Sequence, residues 1–199
     1  VLEISENNAA EITEAVAEGR VHCGLLRVPV ARPPGLAFDT LQHEPALVAM
    51  PIDHPLALRL HRGKPTPVRM RDLQDEPMIL VRRPGAPGLY ANLLALCDAQ
   101  GVRPRIVAEV ARMLTNLNLV AAGTGISVVP SSMLGVHPHA IAYRPLADSG
   151  RLDVPLTLVY RTDDNVGPTA TFTTLLQSLA HEQQANAGRG ARRGATERR

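Results

Sequence analysis

The chain has 199 residues, enough for one large domain or two lobes of modest size, and with no tryptophan, two phenylalanines and three tyrosines it holds almost no material for stacking nucleic-acid bases. Its net charge of +2 hides a division: residues 183–199 carry five arginines and one glutamate, a balance of +4, which leaves −2 on the rest and argues against a DNA-binding face in the body. No run of about 18 apolar residues and no signal-peptide pattern is present, and Cys23 and Cys97, far apart in sequence, suggest neither a disulfide framework nor a metal site, as in a reducing cytosol.

Val1 to Ile4 alternate apolar and polar residues like a strand. Ser5 to Asn8 then offer N-caps for a short helix whose apolar face is Ala9, Ile12, Ala15 and Val16, ended by Gly19. Val21 to Val28 reads as a strand covered on both faces. Arg27 falls at its carboxyl end with Val28 beside it, where open α/β sheets bind ligands; a solvated loop arginine fits the residues equally well. Pro29 to Gly35 is a connector, Leu47 to Met50 an apolar strand closed by Pro51, and Asp53 to Pro67 a loop in which His54 reads as a turn element.

Met78 to Val81 is a buried strand, followed by Arg82-Arg83-Pro84-Gly85-Ala86-Pro87-Gly88 and a helix with Leu89, Leu93, Leu94 and Cys97 on one face, ending near Gly101. Strand, small-residue loop and helix start together suit an anion site, because the first backbone N–H groups of a helix are unpaired and its dipole is positive there; an ordinary loop and cap is the alternative. Pro87, Gly88 and Leu89 are its candidate contacts, and no Gly-Lys-Ser/Thr follows to make it a nucleotide loop. Arg105 to Val110 is the next strand. Met113, Leu114, Leu117, Val120 and Ala121 give a helix stopped at Gly123, and Gly125 turns the chain into the strand Ile126 to Val129 that Pro130 ends. His137 and His139 lack a converging third donor, so no metal site is expected. Ile141 to Leu146 and Leu156 to Tyr160 are returning strands, and Phe172, Leu175, Leu176 and Leu179 mark a final packed helix. From Gln183 the Ala, Gly and Arg-rich tail is expected to be disordered. The alternation of strand and helix predicts α/β architecture with mostly parallel sheets.

The wording of several segments goes further. Leu117 to Pro130, Glu44-Pro45-Ala46-Leu47-Val48-Ala49-Met50-Pro51, Asp53-His54-Pro55-Leu56-Ala57, Asp72-Leu73 with Glu76-Pro77, and Tyr143-Arg144-Pro145-Leu146-Ala147-Asp148 occur in the order found in one family. The chain resembles the effector-binding domain of LysR-type transcriptional regulators over roughly Val1 to Leu179, closest to the branch that senses aromatic-degradation intermediates. That resemblance implies two Rossmann-like α/β lobes of the type 2 periplasmic-binding-protein kind: lobe I from residues 1–50 plus 143–181, lobe II from 51–142, and the basic tail from 182–199. It implies a small effector, expected to be a carboxylate, in the inter-lobe cleft, a homodimer or tetramer, a cytoplasmic location without membrane association, and operator DNA bound only through a winged helix-turn-helix domain that precedes this sequence in the family. The family's first strand and helix also precede Val1, so these residues alone are expected to be marginally stable.

By the same resemblance Met113 aligns with an effector-contact position and Leu156 lies near the cleft. Some members pair a second effector carboxylate with an arginine near Pro45; none stands there, and Arg27, Arg32 or Arg83 can substitute. The family has an acidic residue where His22 stands. No cofactor is implied. The alternatives are a transporter's solute-binding protein, which shares the fold but needs an export signal, and a lyase or hydrolase on similar lobes. Against the latter, no Ser, His and Asp arrangement, activated cysteine or metal set is found, and neighbours in a strand such as His22 and Cys23 point to opposite faces.

Overall fold

The structure, a computed structural model, describes residues 2–27, 31–81, 89–147, 152, 154–164 and 166–196, with backbone alone from 183 onward. Two compact units are formed, one from Val1–His43 and Pro155–Arg199, the other from Glu44–Val154.

In the first unit, helix α1 (Ala9–Ala17) starts at Asn8, whose side chain accepts from the Glu11 N–H at 2.9 Å while the Glu11 carboxylate accepts from the Asn8 N–H at 3.1 Å. This reciprocal cap satisfies two of the donors a helix start leaves open. Strand β1 (Cys23–Leu26) follows, then β2 (Leu36–Glu44), and strand β10 (Val154–Arg161) lies between them in the sheet. β1 and β10 run antiparallel, with Cys23 opposite Tyr160 and Leu26 opposite Thr157. Helix α1 comes so close to β1 that a Cβ on Gly24 would lie 2.2 Å from the Ile12 side chain. Val16, Leu26 and Val159 make the buried centre of that contact. Helix α5 (Gly167–Thr196) contributes Ala180 and Leu176 to a second cluster with Leu41 and Leu158.

The second unit is built round β3 (Ala46–Pro51), which lies between β8 (Ser127–Pro130) and β9 (Ile141–Pro145), antiparallel to both. With a hydrogen-bonded neighbour on each edge and apolar packing on both faces, its Val48, Ala49 and Met50 are wholly buried. Strands β6 (Pro77–Val81) and β7 (Arg105–Val110) form a parallel pair, joined by helix α3 (Leu89–Ala99); helix α4 (Met113–Ala121) follows β7. Gly125 carries the chain from α4 past β6. A Cβ there would sit 2.4 Å from the Pro77 carbonyl oxygen, and its absence lets Ile126 donate to that oxygen at 2.7 Å while Ile79 donates to the Ile126 carbonyl at 2.9 Å. The short helix α2 (Pro55–Leu58) and a small hairpin, β4 (Leu60–His61) with β5 (Lys64–Pro65), occupy the stretch expected to be loop. His54 caps α2, its Nδ1 accepting from the Leu56 N–H at 3.2 Å, a structural role.

Several expectations need correction. Residues 44–50 and 143–154, placed in lobe I by the family resemblance, group here with the second unit, in which β3 pairs with β8 and β9. Among the described strand pairs with a register, only β6 and β7 are parallel. Periodicity marks a strand without saying which distant segment comes back beside it, or in which direction. Residues 2–8 have no regular structure despite their alternation, and β2 was not foreseen. The chain expected to be a disordered tail continues the α5 backbone helix to Thr196.

Candidate functional site

In the second unit the parallel strands β6 and β7 end at Val81 and Val110, and helices α3 and α4 begin at Leu89 and Met113. Two helix starts therefore follow the carboxyl ends of two neighbouring parallel strands, the arrangement at which open α/β sheets take ligands. Leu89 is buried and Met113 half-buried, and both pack into the same apolar cluster around Met78, Leu80 and Leu93. The structure thus brings together two of the residues singled out from the sequence.

Beneath them lies a polar cluster that the sequence reading missed. Asn116, on α4, donates through Nδ2 to the Tyr90 hydroxyl at 3.0 Å and to Ser127 Oγ at 2.7 Å, and the same nitrogen lies 3.7 Å from Met113 Sδ. Ser127 Oγ donates to the Ile79 carbonyl at 2.9 Å and lies 3.1 Å from the Tyr90 oxygen. Asn116 and Ser127 have no exposed surface, and Tyr90 has 4%. The proton count accords with this orientation of the amide. The single Ser127 proton goes to Ile79, the single Tyr90 proton goes to Ser127, and both amide protons are used on the two hydroxyl oxygens. In this orientation every donor in the cluster is used and one acceptor is left over: Asn116 Oδ1 is buried and has no partner. An orphaned buried acceptor costs about 1–3 kcal/mol. Burial pushes the Tyr90 hydroxyl far above its usual range, against the opposing pull of its bonds to Ser127 and Asn116, so it remains a protonated donor.

The signal in the sequence was a polar residue inside an apolar pattern. Asn116 stands next to Leu117 and three residues after Met113 on a face otherwise made of leucine and valine. An asparagine buried there must be hydrogen-bonded, and its partners come from α3 and β8, too distant in the chain for spacing to reveal.

The other expected contacts fall elsewhere. Arg27 and Leu156 are in the first unit, both half-buried; they are the next two residues of the register that sets Leu26 opposite Thr157. Val28, Arg83, Pro87 and Gly88 lie outside the described residues. Neither cysteine has the character of a nucleophile. Burial raises the Cys23 thiol, helped by the Asp164 charge, and burial alone raises Cys97. Among the described residues no group of three or more His, Cys, Asp or Glu side chains is placed to hold a metal ion, and no helix is long and apolar enough to cross a membrane.

The chain is 30% identical over 164 residues to the transcriptional regulator AlsR of Bacillus subtilis, covering 82% of this chain and 52% of that protein. It is 28% identical over 181 residues to the regulator BenM of Acinetobacter baylyi, covering 91% and 58%. The solved effector-binding domain of BenM with its effector benzoate superposes with a TM-score of 0.73 at 28% identity, over 94% of this chain and 79% of that one. The chain thus spans little more than half the length of these curated relatives. The family described as the LysR substrate binding domain matches residues 1–182. The chain belongs to that family, the ligand-sensing regulatory part of LysR-type transcriptional regulators, and has its two-lobed periplasmic-binding-protein-like α/β fold.

Proposed function

We propose that this domain senses a small carboxylate of the aromatic-degradation kind and passes the signal to a DNA-binding domain of the same protein, which works as a cytoplasmic homo-oligomer and catalyses no reaction. The observation that carries the reading is the pair of helix starts, at Leu89 and Met113, following the ends of parallel β6 and β7 beside one apolar cluster. Unpaired N–H groups and the positive end of the helix dipole favour a carboxylate there, and apolar walls favour a hydrocarbon skeleton. The benzoate of the BenM domain supports the choice of acid. The effector contacts proposed are Arg27, Val28, Arg83, Pro87, Gly88, Leu89, Met113 and Leu156. Binding acts on the DNA-binding domain only to the extent that the acid prefers one of two arrangements of the protein.

The test is a thermal-shift series with aromatic and aliphatic carboxylates, each paired with its uncharged amide. A ligand that binds only the folded state at about one hundred times its Kd stabilises it by about 2.7 kcal/mol. The expected result is a dose-dependent rise with one class of acid and none with its amide; a folded protein whose midpoint moves with no acid refutes the reading. Arg83→Ala should weaken binding of the active acid more than Arg62→Ala, which alters an exposed hairpin residue. Equal affinities by calorimetry would remove Arg83 from the site.

A further inference from the structure

Asn116 Oδ1 is a buried hydrogen-bond acceptor with no partner among the described residues, its own amide nitrogen being bonded to Tyr90 and Ser127. It lies in the first turn of α4, and helical side chains lean toward the N-terminus, so its amide sits under the helix start rather than farther along the core. Nδ2 is held toward Tyr90 and Ser127, which turns Oδ1 away from that pair of hydroxyls. The Met113 sulfur touches the same amide, and an unbranched thioether can change rotamer without disturbing its helix.

We propose that Asn116 reads a hydroxyl group on the effector. Resting on the carboxylate-sensor reading above, this narrows the ligand class to small hydroxy acids. The two ends of such a molecule need opposite partners. Its carboxylate needs donors, which the helix starts supply, and its hydroxyl proton needs an acceptor, which Asn116 Oδ1 supplies. No other atom of the Tyr90, Asn116 and Ser127 cluster is free to accept that proton in the same way. Ser127 Oγ already accepts from two groups and donates to the Ile79 carbonyl. Specificity follows because a site with a buried polar group built to bond a hydroxyl discriminates against the analogue that lacks it, leaving that group unpaired.

The experiment measures affinities of benzoate, its three monohydroxy derivatives and the matching methoxy derivatives for the full chain and for Asn116→Leu, which keeps the volume and removes the amide. One hydroxybenzoate should bind roughly tenfold tighter than benzoate and than its methoxy analogue, which has no proton to give. In Asn116→Leu that preference should fall to within about twofold, the affinity for benzoate itself changing by less than about threefold. Tyr90→Phe, which keeps Oδ1, should retain the preference, and Asn116→Ser replaces the leucine variant if the latter does not fold. Binding of benzoate with no hydroxyl preference, or a preference that survives loss of the amide, overturns the assignment of Asn116 and leaves the carboxylate reading standing. Silence of every acid toward the folded wild-type chain overturns both.

Discussion

The two units use polar groups differently. In the first, the polar ties are half-buried: Tyr160 donates to Asp39 at 2.9 Å, Gln177 donates to the same carboxylate at 2.7 Å, and Arg161 binds Asp164 at 2.8 Å while donating to the carbonyls of Val16, in the last turn of α1, and Val21, in the segment after it. In the second, Tyr90, Asn116 and Ser127 are withdrawn from water and join α3, α4, β6 and β8. A half-buried tie fastens one element to another and shares its bonds with solvent. A buried network has no such exchange, so it fixes geometry more strictly and is damaged more by loss of one member.

The largest effects should come from the apolar cores. Leu80→Ala in the second unit and Leu158→Ala in the first each remove a fully buried side chain and should cost about 2–5 kcal/mol by urea denaturation. If the units unfold separately, each variant shifts one transition only; a single shared transition moved equally by both would show that they unfold together.

The contrast in polar groups is tested by Ser127→Ala against Tyr160→Phe. Ser127→Ala deprives Tyr90 and Asn116 of an acceptor and the Ile79 carbonyl of a donor, and should cost about 1–3 kcal/mol. Tyr160→Phe removes a bond that water can replace and should cost about 0.5–1.5 kcal/mol. Equal losses would mean that burial of the network carries no extra constraint.

The smallest expected effect is acid sensitivity from a surface tie in the second unit. Desolvation raises the Asp72 carboxyl, but hydrogen bonds from the Arg59 side chain and the Arg69 N–H, with the charges of Arg59 and Arg71, outweigh it and leave the group below its ordinary range. A carboxylate depressed in the folded state stabilises it above the unfolded value, about pH 3.9, and loses that contribution as pH falls through the folded value. Asp72→Asn should therefore lower stability near neutrality and flatten its pH dependence below about pH 4. An unchanged acid limb in a pH series of urea titrations would assign the sensitivity to other carboxylates.

What the sequence revealed, and what it hid, follows the range of the interactions. Arg105 to Val110 and the helix from Met113 to Ala121 were legible to the residue, because their periodicity and the glycine stop at Gly123 are local. Helix α3 was legible from the spacing of Leu89, Leu93 and Cys97. Strand β2 was not, since Leu36 to Glu44 interleaves apolar residues with Asp39, Gln42 and His43 and only two of its residues, Leu41 and Glu44, are buried. The antiparallel partners of β3 lie about eighty and ninety residues away, and strand pattern carries no record of them. For the candidate site, Leu89 was singled out through a helix start and Met113 through family likeness. Asn116, between Thr115 and Leu117, was not singled out, because its partners are brought to it by the fold alone.

Gly125 has one more implication, for how this protein would look to genetics. It carries no reactive group, yet the first carbon of any side chain would strike the backbone of Pro77 and part the seam between β6 and the segment leading into β8. A mutational survey scored by reporter output alone would rank it beside the residues that hold the effector, so the functional map needs a folding readout at every position before silence is taken for loss of sensing.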